Sequence, residues 1–508
     1  MSKAFMVFCL ALATLFFALE TEVQGIITFL LFISIILIFE RDIMPTYLPI
    51  LLAAMSVLRM YDSFNIFKNY AWIIVIVIIS VVFHIIYYRP RKMQRGKRLG
   101  KLFFPYVAVS AALLLGGIGS ITSAEYFNPT TLYYVLALGV GMLVSYLIFH
   151  KYINPRRDYD TKEYFAFAMF IAGVFAFIML ALQYATNAIP ALLGPPFTYN
   201  IIERFFSISN NLSTIILMIM PFSFYVAAKK KYGVICFISG VLQGFTMLFS
   251  SSRSGLFFSF ALTLPLIIIT MYLDKAKRKQ YAIALAIIAA LVAIIIVVGY
   301  EKIWIPMFTN YAFRLQDNWK MYLLIAIASI LVVSYFIALY VMPKRLQRVL
   351  VLATAAVFLI MCAGVFVFWE KALVILVKMD YSRGMMADLA MKNFYRFPIF
   401  GTGIGYSGTD AYYQPRTATM HFYHSAPIQI IGSMGLVGVI AYAYMFVSRI
   451  RLLRQNKSFF NFTIYLCTLG LYLMSLVNPG IFVPLMFMLQ LTLYYVLAEQ
   501  NTKTTAKR

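Results

Sequence analysis

Charge of one sign is scarce in this chain: 18 Asp and Glu stand against 43 Lys and Arg, and charged residues of both signs make up only 12% of 508 residues. A soluble domain of average composition carries about 25%, so an ordinary water-facing globular fold is excluded. Cysteine is scarce too. Cys9, Cys236, Cys362 and Cys467 each lie in an apolar stretch, far apart, with no CxxC or Cys/His spacing, which excludes a disulfide framework and a structural zinc site. There is no internal repeat and no low-complexity segment. Apolar residues are abundant, at 63%. At about 20 residues per bilayer crossing they set a ceiling of roughly sixteen spans, and a polytopic membrane protein is the class that fits. The net charge of +25 would suggest a nucleic-acid partner in a soluble domain. Here it follows from Lys and Arg collecting in cytoplasmic loops, and no nucleic-acid partner is expected.

The N-terminus, with Lys3 before an apolar run to Leu19, resembles a signal peptide. A second run from Gly25 makes it a retained first span. Further apolar runs fall near 46–60, 70–88, 102–119, 131–149, 163–184, 212–228, 232–249, 255–273, 280–299, 321–342, 349–369, 425–447, 459–477 and 481–497. The expected fold class is therefore all-α, a polytopic integral membrane helix bundle of roughly fourteen to sixteen spans. The connections alternate in charge. Basic clusters recur at 89–101, 151–162, 229–231, 275–279, 344–348 and 449–457, joined by Lys3, Arg41 and the tail residues Lys503, Lys507 and Arg508. The positive-inside rule assigns these to the cytoplasm, with both termini. Left outside are 185–211, the turn 249–255, 300–320 and the long stretch 370–424, a helical extracytoplasmic loop before the span starting near residue 425. A loop of that length in a compact bundle usually binds something or forms a lid.

Chemistry-bearing residues concentrate in those outer segments. Arg253 sits in Ser250-Ser251-Ser252-Arg253-Ser254-Gly255 between two spans, where an Arg either snorkels to headgroups or faces an anion or polar cavity. Arg383, in Tyr381-Ser382-Arg383-Gly384, opens a stretch in which Met386, Leu389, Ala390 and Phe394 recur at helical spacing. This predicts an amphipathic helix on the outer surface, which an interfacial role explains equally well. Gly401-Thr402-Gly403-Ile404-Gly405-Tyr406 follows Pro398. It lacks the spacing and the preceding strand of a dinucleotide fingerprint and reads as a flexible turn. His421 and His424 close the loop, two of only four His in the chain. A His at the outer mouth of a bundle can serve as a general base near neutral pH, whereas a lone His is more often structural. No nearby carboxylate set completes a metal site around the pair. His84 and His150 fall at cytoplasmic ends of spans and read as packing or headgroup residues. Asp158-Tyr159-Asp160 has the spacing of a metal-diphosphate motif, but it lies in a basic cytoplasmic loop, across the membrane from the other candidates.

Taken together, Ser252-Arg253-Ser254-Gly255, Ser382-Arg383-Gly384, Pro398 to Gly405 and His424-Ser425 leading to Gly432 and Gly435-Leu436-Val437-Gly438 resemble the O-antigen ligase and O-antigen polymerase superfamily of bacterial membrane glycosyltransferases. Arg204 with Asn210-Asn211-Leu212 is a weaker fifth part. Ser254 stands where the family commonly has Gly, and Ser425 where it commonly has Asn. The likeness covers about residues 200–450; residues 1–100 are N-terminal spans outside it, and 101–508 form the family-like bundle with the loop 370–424. The resemblance implies a polyprenyl (undecaprenyl) diphosphate-linked glycan donor at the outer face of the bacterial cytoplasmic membrane, a glycan or lipid-linked glycan acceptor, and no cofactor or metal. It implies His424 as catalytic base and Arg253 and Arg383 as diphosphate-binding residues. Arg204, His421, Tyr406 and Tyr423 are possible substrate contacts, as are Tyr412 and Tyr413; an interfacial aromatic belt explains the tyrosines equally well. The implied activity is repeat-unit polymerisation of a surface polysaccharide. The alternatives are ligase-type transfer to a terminal acceptor and, from another class, a lipid-linked oligosaccharide flippase, which would place polar residues at mid-span and broken helices in two matching halves.

Overall fold

The computed structural model describes residues 3–19, 21–56, 71–88, 99–121, 129–153, 160–193, 209–229, 232–248, 252–304, 315–343, 345–346, 349, 370, 381–404, 423–482 and 485–505. Among them the chain is helices joined by turns and irregular segments, without strands. In order the helices are α1 (Lys3–Ala18), α2 (Glu22–Phe39), α3 (Tyr47–Ser56), α4 (Ala71–Tyr87), α5 (Phe103–Ile121), α6 (Pro129–Tyr152), α7 (Thr161–Leu193) and α8 (Ser209–Lys229). They continue as α9 (Gly233–Phe245), α10 (Arg253–Leu273), α11 (Arg278–Val298), α12 (Leu315–Val341), α13 (Tyr381–Arg396), α14 (Ala426–Gln455), α15 (Phe459–Ser475) and α16 (Leu485–Thr505). Helices coincide with the apolar runs found in the sequence, apart from 349–369, nearly all of which lies outside the described residues. Among the described residues six helices are long and apolar enough to cross a bilayer, within α7, α8, α10, α11, α12 and α14, and further apolar helices are shorter.

The chain forms two compact units: Met1–Arg98 with His150–Ile330 and Thr463–Met474, and Leu99–Phe149 with Leu331–Phe462 and Ser475–Arg508. In the first unit α8 is the hub. Its residues Leu212, Ile215 to Met220, Phe222 and Phe224 are fully enclosed, the signature of a helix apolar on every side. Phe222 meets Phe165 of α7 edge to face at 5.3 Å, Phe224 meets Phe237 of α9 at 5.7 Å, and Gly470 of α15 lets the Leu217 backbone approach. By contrast, α11 leaves Ile287, Leu291, Ile294 and Val297 more than half exposed. Such an apolar face suits acyl chains rather than water.

The second unit is built on α5 and α14, with α6, α13 and α16 packed beside them. Small residues bring α5 and α6 together: the Ser110 hydroxyl donates to the Gly139 carbonyl at 2.6 Å, and a side chain at Gly117 would strike Val135. Arg449 of α14 is buried with its guanidinium 4.8 Å from the Tyr495 ring and 5.6 Å from the Tyr106 ring, and it donates to the Tyr106 hydroxyl at 3.2 Å. Tyr106 stacks on Tyr146, whose hydroxyl donates to the fully buried Glu499 at 2.9 Å.

Within each unit, segments that the charge alternation assigns to one face touch one another. In the first, the Tyr88 hydroxyl reaches the Ile38 carbonyl at 3.0 Å, beside Arg41 in sequence. The Tyr281 hydroxyl lies 3.2 Å from the Ala227 carbonyl and donates to Asp274 at 2.9 Å, joining the C-terminal end of α8 to the 275–279 cluster. His84 packs between α2 and α4, its Nδ1 2.9 Å from the Leu37 carbonyl. In the second, Lys101 reaches Gln455, Arg454 donates to the Met342 carbonyl and Lys457 to the Val341 carbonyl.

Candidate functional site

Glycines and polar side chains assemble the start of α14 in the second unit. Ser425 caps the helix with extended backbone, and its carbonyl accepts the Gln429 N–H at 2.8 Å. Just before it, His424 carries φ of 52°, the one non-glycine residue with positive φ among the described residues, and it is exposed. A non-glycine residue there costs about 1–2 kcal/mol. Tyr423 is 1% exposed and held at both ends. Its backbone N–H donates to Gln429 Oε1 at 2.9 Å, and its hydroxyl accepts from Asn393 Nδ2 of α13 at 2.6 Å. Gln429 Nε2 in turn donates to Ser433 Oγ at 2.6 Å. A Cβ on Gly432 would lie 2.9 Å from the Tyr423 ring and 3.1 Å from the Ala390 methyl, so this glycine seats both the ring and α13.

The span is broken one turn further on. Gly435 has φ of 57° and ψ of −151°, a region open essentially to glycine alone. A strap from Pro398 to Ile404 fills the break. Thr402 and Gly403 N–H groups donate to the Gly432 and Ser433 carbonyls at 3.1 and 3.0 Å, while Leu436 and Val437 N–H groups donate to the Pro398 and Ile399 carbonyls at 2.9 and 3.1 Å. Backbone inside a bilayer must be satisfied by protein, and the strap does this. The flexible turn expected at Gly401–Tyr406 is thus corrected as far as Ile404, with Gly405 and Tyr406 outside the described residues: Gly401 to Ile404 are buried, and Gly401 and Gly403 take positive φ to bend the strap into the helix.

The helix expected after Arg383 is present as α13, but its buried face differs. Gly384, Ala387, Ala390 and Asn393 are enclosed, whereas Met386, Leu389 and Phe394 are only half-buried. Close approach to α14 selects small residues, which an apolar-periodicity count ranks below Met and Phe. Ala390 faces Gly432 across the α13–α14 contact, and Pro398, just past the end of α13, pairs with Leu436. Arg383, in the first turn of α13, and His424, immediately before α14, are both exposed, and the α13 residue that reaches the His424 neighbourhood is Asn393, through Tyr423.

The first unit contains the other motif. Ser252 caps α10, accepting the Gly255 N–H at 3.1 Å and donating to Asn210 Oδ1 of α8 at 2.7 Å. A Cβ on Gly255 would lie 2.3 Å from the Ser213 hydroxyl. The Asn210 and Ser252–Gly255 segments, separate in sequence, are one polar junction at which Arg253 is the first residue of α10. Arg253 belongs to the first unit, and Arg383, His424 and Tyr423 to the second. Arg204, Tyr406, Tyr412, Tyr413 and His421 lie outside the described residues, as do Asp158 and Tyr159; Asp160 accepts the Lys162 N–H at the start of α7. No group of three or more potential metal ligands occurs among the described residues.

Sequence reasoning missed Asn393, Gln429 and Ser433. A signal was there: Asn393 lies three residues after Ala390 and Gln429 three before Gly432, and Gln429 and Ser433 are four apart, each spacing that of one helical face. No family model, curated protein or solved structure matches the chain.

Proposed function

We propose that this protein is a membrane glycosyltransferase that moves a glycan from a polyprenyl diphosphate donor to a sugar hydroxyl at the outer face of a bacterial cytoplasmic membrane, polymerising repeat units of a surface polysaccharide. The observation that carries the reading is His424: an exposed residue at positive φ, at the start of α14, next to a Tyr423 held by buried hydrogen bonds. Strained conformations persist where surrounding structure over-determines them, and they cluster at functional sites.

In the proposed step the acceptor hydroxyl attacks the anomeric carbon, its proton passes to His424, and the bond from that carbon to the diphosphate oxygen breaks. Negative charge grows on the departing polyprenyl diphosphate. A guanidinium matches phosphate oxygens in a bidentate way, which is the role given to Arg383. General-base help of this kind is worth typically about 10² to 10⁴ in rate. Tyr423, next to His424 in the chain, is enclosed and anchored at both its backbone and its hydroxyl. The positive-inside rule puts the basic loops in the cytoplasm and the start of α14 outside.

The break at Gly435 bears on the flippase alternative. Transporters leave half-helix ends open toward an ion or substrate. Here the backbone groups flanking the break are engaged by the Pro398–Ile404 strap, which favours a fixed scaffold. Purified protein mixed with a defined lipid-linked repeat, with products sized on a gel, tests the proposal. A ladder is expected. A single shifted acceptor means ligase-type transfer; no product from well-folded protein defeats the glycosyltransferase reading. His424→Ala should insert normally and make no product, and Arg383→Lys should lose turnover because an ammonium lacks the planar fork.

A further inference from the structure

We propose that Gln429, with Asn393 and Tyr423, is a positioning set that aims the His424 imidazole, an inference that rests on His424 being the base. Gln429 and Ser433 are fully buried, and Asn393 is 3% exposed. Burying such groups has a desolvation cost that apolar residues of equal shape avoid. Their hydrogen bonds converge on one point, the peptide and ring of Tyr423, which is the residue immediately before His424. The Tyr423 N–H needs an acceptor, so the Gln429 amide oxygen must face it. The Gln429 amide nitrogen is then turned to Ser433 Oγ, and both ends of the side chain are used. Asn393 fixes the far end of the same residue. With Tyr423 clamped at its backbone and its hydroxyl, and the Ser425 carbonyl tied to Gln429 N–H, the residue between them has little choice of φ and ψ. The positive φ of His424 is the consequence, and it sets the direction in which the ring leaves the backbone.

A misplacement of about 1 Å can cost on the order of a hundredfold in rate. Gln429→Met, similar in shape but without the acceptor, should therefore lower kcat about tenfold to a hundredfold with KM unchanged, measured on a defined lipid-linked repeat. The deciding comparison uses His424→Gly, which accepts the backbone conformation, supplied with free imidazole. Because diffusible imidazole is not aimed by Tyr423, adding Gln429→Met to His424→Gly should cost nothing further in the rescued reaction. An equal loss in both backgrounds makes Gln429 merely structural and overturns the proposal, as does parental kcat for Gln429→Met. If rescue is too slow to read, Tyr423→Phe decides, assayed at a temperature where the variant is fully folded: kcat must fall at unchanged KM, and parental kcat overturns the proposal. The two ideas fail separately: His424→Gly turning over at the parental rate without imidazole removes the base itself, whereas an inactive His424→Gly beside a fully active Gln429→Met removes only the positioning.

Discussion

Substituting Gly435 by Ala perturbs the break in α14 and nothing else nearby. Two costs follow from the geometry. At φ of 57° and ψ of −151° a side chain is strained by about 1–3 kcal/mol. The added Cβ would also lie 2.5 Å from the Pro398 carbonyl oxygen and 2.6 Å from that of Ile399. These are backbone atoms that cannot rotate away, and they accept the Leu436 and Val437 N–H groups. Either the strap retreats or the helix straightens, and in both cases the two hydrogen bonds are lost, at a net of about 0.5–1.5 kcal/mol each. The total is about 2–6 kcal/mol. At about 2–4 °C per kcal/mol for a unit of this size, the midpoint of roughly 4 kcal/mol lowers the melting temperature by about 8–16 °C. The assay is thermal unfolding of detergent-purified protein followed by intrinsic fluorescence. Gly141→Ala in α6 is the control: its Cβ meets nothing within 4 Å, so better helix propensity should hold or raise the melting temperature. A parental melting temperature for Gly435→Ala would refute the account of strap and break as one rigid assembly.

Arg449→Met should destabilise the second unit by about 2–4 kcal/mol, since two desolvated cation–π contacts worth roughly 2 kcal/mol each are replaced by thioether packing; a melting temperature equal to the parent's would show the Tyr106–Arg449–Tyr495 sandwich to be incidental. Burial pushes the Asp274 carboxyl up, but hydrogen bonds from Tyr281 and Lys277 and the Lys277 charge outweigh it, holding the group below its ordinary 3.8. A depressed carboxylate stabilises the fold above its unfolded pKa and loses that contribution as pH falls through the folded value. The stability difference between parent and Asp274→Asn should therefore be flat from pH 7 to about 5, start to shrink only as pH falls below about 3.8 and fade once pH is below the folded value; a difference that does not shrink at any acid pH contradicts the clasp.

Much of the architecture is legible along the chain. Every apolar run that falls among the described residues is helical, and Arg383 does open a helix, because an isolated run of about 20 apolar residues in lipid has one way to satisfy its backbone. The glycines singled out at Gly255, Gly432 and Gly435 each sit where a Cβ would collide. What the run 425–447 does not reveal is its interruption. Read alone it is an unbroken apolar helix, since no Pro or polar residue marks Gly435 as different from Gly432 or Gly438. Likewise Asn210 and Ser252, 42 residues apart, are each ordinary polar residues until their helices are laid side by side.

Composition and order alone give a helical chain with helices long and apolar enough to cross a membrane, where those helices fall and which loops share a charge. Those properties are sums of transfer free energies over neighbouring residues and need no partner. Tertiary structure alone decides that a loop strap fills a helix break, that small residues rather than Met386 and Phe394 form the contact face of α13, and that Asn393 and Gln429 grip Tyr423. Each depends on which backbone atoms come within about 3 Å of one another, and such distances are set by packing between segments far apart in the chain.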